Sequence, residues 1–169
     1  MDYGKNTTVS VAKSRADIHK MLEDHQCDDI VHGGSNRLLQ IVIQFTYELV
    51  PCRISLKPPS PQEERFHLHG NGYRLSATEA GKKYDKELRR VWRCLFLIVK
   101  ARFVELDAGL FSAQQTLAPW LVMPNGRTVG ELLEAGDQTL LDSLIKASGD
   151  KLLSWGGKKG ADHGVYADD

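Results

Sequence analysis

The chain has no charge to spare. Its 169 residues carry 22 Lys and Arg against 22 Asp and Glu. It is therefore not a general polyanion binder, and any contact with nucleic acid has to come from a local patch. Cysteine is scarce: Cys27, Cys52 and Cys94 are isolated, odd in number and form no CxxC pair. That excludes a disulfide framework and suits a reducing cytoplasm. Long apolar runs are missing too. The longest, Cys94 to Val99, falls far short of the roughly 20 residues that a membrane-spanning helix needs. The N-terminus has no signal-peptide pattern, and there are no internal repeats.

The motifs of common chemistry are also absent. No GxxxxGK[ST] occurs, and Gly33-Gly34-Ser35 precedes a strand rather than the helix start that a phosphate cradle requires. Gly70-x-Gly72 with Arg74 stands before a helix, where it reads as a flexible connector or as help for a phosphate. The serines lack a nucleophile motif, and the cysteines sit in apolar or strand contexts as structural residues. His67-x-His69 is the one spacing worth testing for a metal, with His19, His25 or Cys27 to complete the set, but it follows no standard ligand pattern. Acid pairs such as Glu23-Asp24, Asp28-Asp29 and Glu63-Glu64 read as solvated. No catalytic constellation emerges, so the expectation is a non-enzymatic protein without metal or cofactor.

What is present is one long helix, from Ser76 to about Gly109. Ser76 and Glu79 make a capping box, and Gly109 is a suitable stop. Roughly thirty residues give a rod about 45–50 Å long. Tyr84, Leu88, Val91, Trp92, Leu95, Val99 and Leu106 share one sector and form the core face. Lys82, Lys86, Arg89, Arg93 and Lys100 share another, about 140° away, and Lys83 and Arg90 widen it. Between Lys82 and Arg102, eight Lys or Arg face only Asp85 and Glu87. This stripe is either a solvated face paired with acids elsewhere, a surface for phosphate backbones, or a dock for an acidic protein. Arg102, on the apolar side, has to snorkel or find an acid.

Around that helix the pattern predicts an α+β fold, with a small antiparallel sheet of three to four strands packed against the long helix and shorter helices. Thr7 to Val11 is β-branched and reads as a first strand, followed by a helix capped by Ser14 and ending near Gln26. Asp28 to His32, Arg37 to Thr46 and Leu49 to Lys57 read as a meander, with turns at Gly33 to Asn36 and at Tyr47-Glu48. Pro51 suits an edge or an irregular strand start. Residues 58–75 read as a mobile loop containing Arg65, His67, His69 and Arg74. A short helix within Phe111 to Leu121, a turn at Pro124-Asn125-Gly126, a helix capped by Thr128 and Glu131, and an amphipathic piece at Thr139 to Lys146 complete a single domain over residues 1–147. Residues 1–5 are expected to fray, and residues 148–169 to form a flexible tail holding Trp155.

Four pieces, TTVSVAKSRADI, LVPCRISL, VWRCLFLIVKARFVELDAG and LAPWLVMPNGRTVGELL, together resemble a class of small phage and mobile-element proteins of no established activity. The segment FHLHGNGYR stands where such proteins often carry a Gly/Arg-containing loop. The resemblance implies a phage or mobile-element accessory protein and brings no functional residues with it. The residues themselves point to nucleic-acid binding, single- or double-stranded, by Lys82, Lys86, Arg89, Arg90, Arg93 and Lys100, with Arg65 and Arg74 from the loop and Arg53 and Lys57 from the sheet lining one groove. The alternative is a protein-binding module that inhibits a host enzyme or defence complex.

Overall fold

The computed structural model describes residue 4, residues 6–35 and residues 39–136. The chain divides into two compact units, residues 1–130 and 131–169. The expectations for Asn36 and Arg37, for Thr139 to Lys146, for the tail and Trp155, and for all of residues 1–5 but Gly4 lie outside the described residues.

The first element is a helix, α1 (Val11–Asp24), not a strand. Ser10 caps it by accepting the Lys13 amide at 3.1 Å, and Ser14 lies one turn inside and fully buried. Here spacing overrides the β preference of TTVSV: Ser14, Ile18 and Leu22 recur at four residues and bury one face. Three antiparallel strands follow, β1 (Asp28–Ser35), β2 (Gln40–Tyr47) and β3 (Val50–Leu56), in the order β1-β2-β3. Gly33, Gly34 and Ser35 extend β1 rather than turn, pairing with Val42, Ile41 and Gln40. A register shift between Asp28 and Val31 marks a bulge at Asp29, which has φ +51°.

The β2–β3 hairpin closes through Glu48 and Leu49, both left-handed, with φ +47° and +66°. Those are the signs of the tight primed turn that matches strand twist, here built without the usual Asn or Gly. Ile41, Ile43 and Phe45 of β2 and Cys52 and Ile54 of β3 face the helices, whereas Gln44 and Val31 on the opposite face are exposed.

The loop after β3 is more structured than its Pro and Gly content suggests. It holds a helical turn, α2 (Glu64–His67), and a small hairpin in which the His69 amide donates to the Tyr73 carbonyl at 2.7 Å. Phe66 is buried and meets Tyr84 edge-on, with ring centroids 5.5 Å apart.

The long helix, α3 (Ala77–Asp107), has the expected capping box: Ser76 accepts the Glu79 amide, and Glu79 accepts the Ser76 amide and hydroxyl. The bonds from Ser76 hold the Glu79 carboxyl below its usual range. Its end is a Schellman motif. Gly109 is left-handed at φ +63°, its amide reaches Leu106, and the Leu110 amide reaches Glu105. The core joins Ile18 and Leu22 of α1 to the sheet residues and to Trp92, Leu95, Val99 and Phe103 of α3. Phe103 belongs to that face, while Val91 is only half-buried. Arg102 finds its acid locally, in Glu105 at 3.1 Å. A short helix, α4 (Ala113–Leu117), capped by Ser112, adds Leu117 to the core. A 3-10 turn (Ala118–Trp120) leads to a brief extended pairing of Val122 with Thr128 around Gly126, and α5 (Val129–Glu134) follows.

Candidate nucleic-acid interface

Charge on a helix face binds a polyanion only if that charge is not already spent inside the fold. The stripe on α3 divides on this point. Lys82, Lys86 and Lys100 are exposed and make no ion pair among the described residues, and the same is true of Arg74 in the loop.

Arg65, Arg90 and Arg93 are engaged, whereas Arg89 is covered without a partner for its Nε. Arg93 is 29% exposed, lies over the Phe96 ring at 4.4 Å and reaches Asp17 of α1 at 3.9 Å. Arg90 clamps Glu87 with two bonds of 2.8 and 2.7 Å. Arg65 holds Glu63 at 2.6 Å and approaches Glu87 at 3.6 Å. Arg89 is half-buried, and its Nε is sealed from solvent without an acceptor. Lys83 is structural: it donates to the carbonyls of Arg65 and Leu68 at 2.5 and 2.9 Å, tying the loop to α3.

For Arg93 the reason is the position of α1, which packs along α3 on the stripe's flank; Arg65 and Arg90 pair instead with the nearby Glu63 and Glu87. Asp17 opposite Arg93 and His25 opposite Asp107, at 3.1 Å, mark that seam. Arg89 and Arg93 are both half-buried, so the outermost charges of the stripe are its lysines. A single groove is ruled out for Arg53 as well. It alternates with the buried Cys52 and Ile54 and pairs with exposed Gln44, so it belongs to the sheet face away from α3.

The remaining chemistry is sparse. Burial pushes the Cys27 thiol up to about 12, helped by Cys52 and Asp28, and burial pushes Cys52 to about 11. Both thiols stay protonated and unreactive at neutral pH. His67 Nε2 bonds the Pro61 carbonyl at 2.9 Å. No three His, Cys, Asp or Glu side chains among the described residues are grouped to hold a metal. No helix among the described residues is long and apolar enough to cross a membrane.

A feature that the sequence did not point to is a cavity of about 370 Å³ between the start of α1, the β1–β2 end of the sheet and the first half of α3. Arg15, His32, Gly34, Tyr84 and Trp92 are among its lining residues. Arg15 lies over the Trp92 ring, 5.6 Å from its centroid. His32 and Gly34 stand opposite Ile43 and Ile41 and so share the helix-facing side of the sheet. Only the fold brings these residues together from separate elements. No known family, curated protein or solved structure matches the chain.

Proposed function

We propose that this is a non-enzymatic accessory protein, in the phage or mobile-element setting that its sequence resemblance implies, which binds nucleic acid through the first half of α3. The observation that supports this reading is the pair Lys82 and Lys86, one helical turn apart, exposed and without an ion-pair partner among the described residues, with Arg74 on the preceding loop and Lys100 further along. In a chain of zero net charge, these cations form a local positive surface. Ion pairing with phosphates releases counterions, so affinity should fall linearly in log salt, by about 0.9 of a log unit per contact on duplex DNA. Arg89, Arg90, Arg93 and Arg65 support the surface from behind, because their charges already have partners or are partly covered.

The test is fluorescence anisotropy with labelled single- and double-stranded oligonucleotides across a salt series. Lys82→Glu/Lys86→Glu should abolish binding while leaving the urea midpoint nearly unchanged. The Arg89→Glu/Arg93→Glu pair is the poorer probe, since it sets a second carboxylate against Asp17 and disturbs the α1–α3 seam. Absence of any anisotropy change for the wild type at low salt removes the reading.

A second reading, a module that binds and inhibits a host protein, is favoured by the exposed Ile98, Val104, Leu110 and Phe111 toward the far end of α3. It predicts a partner whose binding tolerates salt and is lost in Val104→Asp/Phe111→Asp.

A further inference from the structure

We infer that the cavity between α1, the sheet end and α3 is a binding site for a small anionic ligand with a planar ring, such as a nucleoside monophosphate or an aryl carboxylate. The inference does not depend on the polyanion surface, which uses other residues.

Three observations carry it. The first is size and lining. About 370 Å³ lies within the range of small-molecule pockets, and the lining mixes apolar walls with a few polar groups, as such sites do. Leu88 and Tyr84 of α3 and Ile41 of β2 supply apolar and aromatic wall. Gly34 supplies no side chain where its cross-strand partner Ile41 supplies a buried one.

The second is an uncommitted cation. Arg15 lines the cavity and lies over Trp92, and it has no carboxylate partner among the described residues. Arg90, Arg93 and Arg102 of α3 differ in that each holds an acid. The face of an indole fixes the plane of a guanidinium and leaves its N–H edge available to an oxyanion.

The third is a polarised histidine pair. His19 Nδ1 and His32 Nε2 are 3.3 Å apart, and His19 Nε2 is 3.4 Å from Glu23. One arrangement satisfies all three groups: His19 donates through Nε2 to Glu23, and His32 donates through Nε2 to His19. Nδ1 of His32, sealed from water and without a partner, is then left as an acceptor. In the other tautomer, with the proton on Nδ1 and Nε2 accepting from His19 Nδ1, His32 offers a donor to an anion in the cavity and that nitrogen gains the partner it lacks, at the expense of the 3.4 Å contact between His19 and Glu23. The ligand's anionic group belongs by Arg15 and His32, and its ring against Tyr84 and Leu88.

The test is isothermal titration calorimetry of the full chain with AMP, 1-naphthoate, adenosine and inorganic phosphate. AMP and 1-naphthoate carry both ring and charge, and each of the other two carries only one. At least one of the first pair should bind, and more tightly than either half-ligand. Arg15→Gln should weaken it about tenfold or more, the scale of a lost charged hydrogen bond. Lys20→Gln removes the same charge from an exposed position on the same helix outside the cavity lining, and should change affinity less than twofold. Arg15 is exposed, so both variants should keep the wild-type urea midpoint. The inference is overturned if neither ring-bearing anion binds at millimolar concentration. It also fails if adenosine or phosphate binds as tightly as the better of the two ring-bearing anions, or if Arg15→Gln and Lys20→Gln weaken binding equally.

Discussion

From Ala77 to Val91, α3 buries Ala80 alone; from Trp92 to Asp107 it buries Trp92, Leu95, Val99 and Phe103. The first half holds Lys82, Lys83, Lys86, Arg89 and Arg90, and the second holds four of the five buried residues of α3. Length explains the division. A strand of eight residues, such as β2, spans about 26 Å. A helix of 31 residues spans about 46 Å. A helix so much longer than its sheet has to overhang it. Over the overhang, charges keep their water and need no burial energy, and a cavity remains where neither strand nor helix fills the space. The packed half sets the stability, whereas the overhanging half holds exposed Lys82, Lys83 and Lys86 and lines the cavity.

The comparison breaks first at Phe103. Its ring is 1% exposed and meets His25, Phe45 and Tyr47 at centroid distances of 4.5, 6.3 and 5.9 Å. Phe103→Ala should destabilise the fold by about 3–5 kcal/mol, the range for a large aromatic removed from a closed core. Tyr84→Ala, in the overhang, should cost only about 1–2 kcal/mol, because its main ring partner is Phe66 in the loop. Urea unfolding of both variants measures the gap. Equal losses would mean that the two halves share one cooperative core.

Much of this division is legible in the sequence. The 3.6-residue period names Trp92, Leu95 and Val99, and Ser76, Glu79 and Gly109 give the ends of α3 correctly, because caps are local chemistry. The three-stranded meander is legible for the same reason: alternation and short turns are near neighbours in sequence. Thr7 to Val11 misleads because β-branched residues can leave a sheet unserved when a Ser cap and a four-residue apolar spacing begin just there. The site is less legible. A charge on a helical wheel carries no sign of whether α1 lies beside it, so Arg93 and Lys86 look alike until Asp17 is placed at 3.9 Å from one of them. Arg15, His32 and Tyr84 have no common motif, since they come from α1, β1 and α3, which meet at the cavity.

The packed half also carries strain, and relieving it should sharpen the contrast. The turn next to Tyr47 places Glu48 and Leu49 in the left-handed region, where a side-chain-bearing residue loses roughly 1–2 kcal/mol. Leu49 is 93% exposed, so its side chain returns almost nothing. Glu48→Asn/Leu49→Gly supplies the preferred residues for this turn. Allowing for the extra freedom of Gly in the unfolded chain, the double variant should gain about 1 kcal/mol. A thermal midpoint that stays level or falls would show that Leu49 makes a contact outside the hairpin.

The smallest effect tests the far end of the α1–α3 seam. Burial lowers the affinity of His25 for its proton, but the Met21 carbonyl at 2.7 Å and the nearby Asp107 and Asp24 outweigh it, so the pKa is raised above 6.5. A base whose pKa is raised by folding binds its proton more tightly in the native state. Its contribution is therefore complete below the unfolded value near 6.5 and disappears as the pH rises through the higher folded value. His32 works in the opposite sense: burial, then His19 and Arg15, lower its pKa, so its contribution is lost as the pH falls. Wild-type stability alone would mix the two. Asp107→Asn separates them, since it leaves His32 untouched and removes one of the two carboxylate charges near His25, leaving Asp24 in place. Asp107 is 64% exposed, so the loss at pH 5.5 should stay under about 1 kcal/mol. At pH 8.5 the loss should vanish or turn into a slight gain, because an acid at a helix C-terminus opposes the helix dipole. A destabilisation that is equal at both pH values would mean that the His25–Asp107 contact does not hold α1 to the packed half of α3.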